Sequence, residues 1–138
     1  MIFIFYIKMG IDNSAKLIFG FVLEYEQFLN IVRSFSLVEL EEDDVEEFYD
    51  KNLGVYSKEN LFNQKYKGLC LGISSPYYDI ELEYKTFYIT MGKVGEKMSI
   101  GEVKDLLTTH IDTDYKLFLF ENGIPYEEPE FISLPHII

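Results

Sequence analysis

An α+β domain is predicted from three observations. Residues 16–35, KLIFGFVLEYEQFLNIVRSF, pass from a run that is apolar on both faces into a helix-spaced pattern with no breaker between them. Further strand-like runs follow at 66–73, 80–91 and 115–120, with helix-spaced apolar stripes between some of them. The 138 residues are 48% hydrophobic and 17% aromatic, enough for one packed core and far from the disordered class.

Over residues 17–23, Leu17, Phe19, Phe21 and Leu23 face one way and Ile18, Gly20 and Val22 the other. Both faces are apolar, so this strand should lie in the interior of a covered sheet. Tyr25, Phe28, Leu29 and Val32 recur at i, i+3, i+4 and i+7, the stripe of an amphipathic helix. Residues 37–50 carry eight acids and no base, yet Val45, Phe48, Tyr49 and Leu53 keep helical spacing. A second, acidic helix fits, capped by Asp43 or Asp44 and stopped near Gly54, its first-turn acids favoured by the helix dipole. Residues 60–65 read as loop. Residues 66–73 read as a strand in which Gly68 and Gly72 mark a bulge or a close approach.

Residues 74–77 form a turn. Residues 80–84 alternate Ile80, Leu82 and Tyr84 against Glu81 and Glu83, a half-buried strand, and 86–91 continue it or pair with it, with Phe87, Ile89 and Met91 on one face. After the 92–97 loop, Ser99 and Glu102 make a capping box ahead of Val103, Leu106, Leu107 and Ile111, a third helix. Residues 115–120, YKLFLF, read as the last strand, then the turn residues Asn122 and Gly123. The tail from Pro125 holds three of the four prolines and reads as irregular.

At the other end, residues 1–8 contain an apolar run far shorter than the roughly 20 residues that span a bilayer. With no basic residue before it and no small-residue cleavage site after it, it reads poorly as a secretory signal. It reads as an extra strand, or as sequence ahead of a start at Met9, and 10–14 as a turn. The whole gives one domain over 1–138. Its element order approximates the βαββαβ plan of ferredoxin-like folds with an acidic helix inserted, the sheet mixed or antiparallel and packed by helices.

With 24 acidic and 12 basic residues the formal charge is -12. Such a chain lacks the clustered cations that release counterions from nucleic acid, and it is repelled by anionic membranes, whereas a basic protein surface is drawn to it. The lone Cys70 sits in an apolar run, excludes an internal disulfide and suits a reducing, cytoplasmic setting. Arg33 is the single arginine and Ala15 the single alanine, a skew that AT-rich codons produce.

Candidate chemistry is sparse. His110, Asp112 and Asp114 (HIDTD) unite ligand types that a divalent cation wants, and would serve a metal-dependent hydrolase; they also fit a helix end and the turn after it. Asp79, Glu81 and Glu83 share one strand face, about 7 Å apart in steps of two, a row that more often guards a solvated edge than holds a cation. The GKVGEK segment lacks the GxxxxGK[ST] spacing of a phosphate loop. Cys70, Ser74 and Ser75, with His110 and His136, offer no GxSxG elbow, so a hydrolase triad is disfavoured. Tyr77, Tyr78, Tyr84 and Tyr88 could line a pocket for a small ligand or nucleotide. The strongest feature is Glu39, Glu41, Glu42, Asp43, Asp44, Glu46, Glu47 and Asp50, a third of all the acids in about a tenth of the chain.

The pattern GxxxSAKLIFGFxLxxxxFLxIV over residues 10–32, with the acidic helix after it and the Ile-, Tyr- and Lys-rich composition, resembles small uncharacterised proteins of large nucleocytoplasmic DNA viruses. The resemblance covers about the first third of the chain and carries no catalytic motif. It implies an accessory or host-interaction factor made in a host cytoplasm. A phage or bacterial immunity protein from an AT-rich genome would look much the same. The expectation is therefore a non-enzymatic protein without cofactor that binds a basic protein partner through its acidic surface as an inhibitor or decoy, with a homodimer left open.

Overall fold

The computed structural model describes residues 15–75, 80–91 and 113–135. Strand β1 (Ala15–Leu23) is followed by helices α1 (Tyr25–Ser34), α2 (Glu42–Asn52) and α3 (Leu61–Lys65), then strand β2 (Leu69–Ser74). A single 3-10 turn (Leu82–Tyr84), strand β3 (Thr86–Met91), helix α4 (Thr113–Glu121) and strand β4 (Glu130–Pro135) complete the described order. The four strands form one sheet in the order β2-β3-β1-β4, antiparallel throughout. That order and those directions are the ferredoxin-like arrangement, and β1 is interior, flanked by β3 and β4.

One face of the sheet carries the main core. Phe21 and Leu23 of β1 and Phe87 and Ile89 of β3 pack there with Phe28 and Val32 of α1, Val45 and Tyr49 of α2, and Tyr115 and Phe118 of α4. On the other face Ile18, Tyr88 and Leu134 form a smaller cluster, while Val22 is exposed, so only part of that face is covered. The β1–β3 contact is very close. A Cβ on Gly20 would overlap the Ile89 carbonyl oxygen and stand 3.0 Å from Thr90 Cα. Thr90, fully buried, accepts the Phe19 amide on its hydroxyl at 3.1 Å.

Four elements differ from the sequence reading. Residues 115–120 are not a strand but the body of α4. Tyr115, Phe118 and Leu119 are buried at i, i+3 and i+4, and the apolar Leu117 and Phe120 that mimicked a second buried face are exposed. Gly123, at φ 65°, closes the helix, with Ile124 N–H donating to Leu119 C=O at 2.9 Å and the Ile124 side chain buried. Residues 125–138 are not uniformly irregular, since Glu130–Pro135 pairs with the whole first half of β1. Pro129 and Pro135 stand beside and at the end of this outer strand, where a missing N–H is tolerated. Residues 80–84, read as a strand, hold instead a 3-10 turn at Leu82–Tyr84, and 61–65 form a short helix in place of a loop, with the Asn60 side chain accepting the Asn63 amide at 2.9 Å. Helix α2 also starts at Glu42, ahead of the expected caps at Asp43 or Asp44, and the Glu41 side chain makes no capping bond. The readings at 1–14, 76–79 and 92–112, the third helix among them, lie outside the described residues.

At the β2 border two backbone carbonyls are answered by helix side chains. The Tyr49 hydroxyl donates to Leu71 O at 2.7 Å, and Asn63 Nδ2 donates to Leu69 O at 3.0 Å. Burial pushes the Tyr49 phenol well above its ordinary pKa, so it stays a donor at any physiological pH. Tyr49→Phe keeps the ring and orphans a buried carbonyl. It is expected to lower unfolding free energy by about 1–3 kcal/mol with an unchanged denaturant slope, read by urea titration.

Candidate functional site

Helix α2 is oriented by its buried stripe, Val45, Tyr49 and Leu53, which turns the acids outward. Glu42, Asp43 and Asp44 occupy its first turn, where the unpaired amides favour negative charge. Across from it, Leu82 packs against the main core and anchors the 3-10 turn. Glu81 and Glu83, on either side of that anchor, then line the same cleft as α2. Tyr25, at the start of α1, stacks on Phe87 with ring centres 5.7 Å apart and an interplanar angle of 30°. The result is an open cleft of about 380 Å³ lined by Tyr25, Glu42, Asp43, Glu46, Glu81, Leu82 and Glu83. Among the described residues five carboxylates from two elements line it and no basic side chain does. The Tyr25 phenol is pushed up, first by burial and then by the Glu42 charge.

A second cleft of about 280 Å³ adjoins it, lined by Glu46, Tyr49, Asp50, Gly54, Val55, Tyr56, Ile73, Ser75, Lys85 and Tyr88. Glu46 lines both, and Lys85 Nζ holds its Oε2 at 2.7 Å. The Asp50 carboxyl is pushed up by burial and by Glu46, against the pull of Lys85.

The acidic residues singled out from the sequence fall into three groups. Glu42, Asp43 and Glu46 line the first cleft, and Asp50 lines the second. Glu39, Glu41, Asp44 and Glu47 are exposed outside both; Glu47 pairs with Lys51 at 2.9 Å on the surface, which holds its carboxyl below the usual range. Among the tyrosines, Tyr88 lines the second cleft, whereas Tyr84 is 65% exposed and lines neither, and Tyr77 and Tyr78 lie outside the described residues. His110 and Asp112 also lie outside them, and Asp114 sits in the first turn of α4. Among the described residues no three His, Cys, Asp or Glu side chains are grouped to hold a metal ion. The Cys70 thiol is pushed up by burial, away from thiolate reactivity.

The sequence places Tyr25 and Tyr49 on apolar helix stripes and marks neither them nor Tyr56 as site residues, and it assigns Glu81 and Glu83 to a strand face. The usable signal for the last two was Leu82, a lone apolar residue between acids that could anchor a turn as readily as alternate in a strand. Among the described residues no helix is long and apolar enough to cross a membrane. No protein-family model, curated protein or solved structure matches the chain.

Proposed function

We propose that the protein is a non-enzymatic binding factor that captures a basic protein surface through its acidic face. The observation that carries this reading is the first cleft, which the half-buried Tyr25 lines together with five carboxylates, of which Glu46 is paired with Lys85 and the other four have no ion pair among the described residues. A lysine or arginine side chain entering it meets carboxylates for its charge and an aromatic wall for its stem. Glu39, Glu41 and Asp44, exposed beside the cleft-lining acids on the same chain segment, extend the negative field that steers a basic partner in.

A contact with shape adjoins this charge in sequence. Leu37 is fully exposed and Val38 largely so. Their loop is held by the Ser36 hydroxyl, which donates to Val38 O at 2.6 Å and accepts its amide at 3.2 Å, and by Arg33 Nε donating to Leu40 O at 3.2 Å. A preordered apolar tip of this kind supplies the anchor that charge alone does not. Within this proposal the partner belongs to a host cytoplasm, which the lone Cys70 and the viral resemblance support.

The test is affinity purification with mass spectrometry from the native cellular context at low and high salt, followed by titration of the recovered partner. Replacing Glu42, Asp43, Glu81 and Glu83 together by lysine is expected to weaken binding by about 100-fold or more, and raising salt to weaken the wild type steeply. Affinity that is unchanged by both would exclude the proposal.

A further inference from the structure

We infer that the second cleft is a separate binding site for a small organic cation, a hydroxylated aryl- or alkylamine. The inference is independent of the protein partner proposed above. Its built feature is Tyr88, which is 1% exposed yet lines the cleft. Tyr88 belongs to β3 and pairs across the sheet with Gly72 of β2. A Cβ at Gly72 would overlap the Tyr88 ring and its hydroxyl. The glycine therefore lets the ring lie flat over the outer strand, so that the phenol reaches the cleft beyond it. That hydroxyl donates no hydrogen bond within the described residues and belongs to a side chain that lines the cleft, so an acceptor on a ligand can meet it there.

The charges around it are unbalanced. Glu46 and Asp50 face one ammonium, Lys85, and Lys85 is committed to Glu46 at 2.7 Å. Asp50 forms no ion pair among the described residues. A cation beside Asp50 would neutralise it. The remaining walls, Val55, Ile73 and the rings of Tyr49 and Tyr56, suit an apolar or aromatic body. A volume of about 280 Å³ lies at the lower end of small-molecule pockets, roughly 300–1,000 Å³, which sets the ligand's size. The ligand's hydroxyl supplies the acceptor that Tyr88 lacks.

Tyramine is the probe, titrated into the full chain by calorimetry and by amide chemical-shift mapping. Saturable binding is expected, with shifts at Val55, Tyr56 and Ile73. Asp50→Asn is expected to weaken it about tenfold or more, and Tyr88→Phe about three- to tenfold, with little change in thermal midpoint. Phenethylamine, which lacks the hydroxyl, is expected to bind more weakly than tyramine and to be indifferent to Tyr88→Phe. 4-Hydroxyphenylacetate, with the charge reversed, is expected not to bind. Glu81→Gln with Glu83→Gln should leave tyramine affinity intact, which separates this site from the acidic cleft next to it. No saturation by about 10 mM tyramine, undiminished binding in Asp50→Asn, or shifts centred on Tyr25 and Leu82 would each overturn the assignment.

Discussion

Gly20→Ala is expected to destabilise the fold by about 3 kcal/mol or more, seen as a large drop in the urea midpoint or as failure to accumulate folded protein. The reason is backbone against backbone. The added methyl would overlap Ile89 C=O and lie 2.8 Å from the same carbonyl carbon, inside the central β1–β3 pair, where no side chain can swing aside. Relief requires the two interior strands to part, which would break the register at Gly20–Thr90 and the Phe19 amide bond to the Thr90 hydroxyl. Gly123→Ala is the contrast. There nothing lies within 4 Å of the new methyl, and the only strain is a left-handed backbone at φ +65°, worth about 1–2 kcal/mol. Equal effects at the two glycines would refute the close-contact account.

Phe28→Ala is expected to cost about 3–5 kcal/mol, a large share of the 5–15 kcal/mol that holds an ordinary domain together. Phe28 is fully buried, stacked on Phe87 at 4.2 Å and 21° and tilted against Tyr49 at 5.7 Å. It is the junction of α1, α2 and the sheet, so the void left by its ring opens between three elements at once. Phe120→Ala removes the same atoms from a residue that is 83% exposed and is expected to change stability by no more than about 0.5 kcal/mol. Thermal or denaturant unfolding of the two variants side by side checks the difference.

The parts of the fold legible in the sequence are those in which one pattern had one explanation. In β1 and α1 apolar spacing, length and the absence of breakers all agree, and the burial of Phe21, Leu23, Phe28, Leu29 and Val32 follows it. In α4 the six residues YKLFLF satisfy both periods. Strand and helix differ there only in whether Leu117 and Phe120 are inside, and apolar residues on an outer face carry no mark that says so. The last strand was hidden by its prolines, which forbid an interior strand and permit a border one. The acidic cleft was half legible. Crowding of acids on α2 predicted a negative face, but the approach of Glu81 and Glu83 from a turn some 40 residues away is a tertiary fact. The tyrosines divide in the same way: Gly72 signalled a close approach, and the neighbour that used the space was the ring of Tyr88.

The two side chains that answer Leu69 and Leu71 at the β2 border bear on how copies of the molecule behave when crowded. A foreign segment that tried to extend the sheet there would have to evict a phenol and a carboxamide, each fixed on its own helix, before gaining its first rung. Fibre growth by strand stacking is thereby blocked on that flank by α2 and α3, and net repulsion between like-charged copies does not have to supply the whole defence.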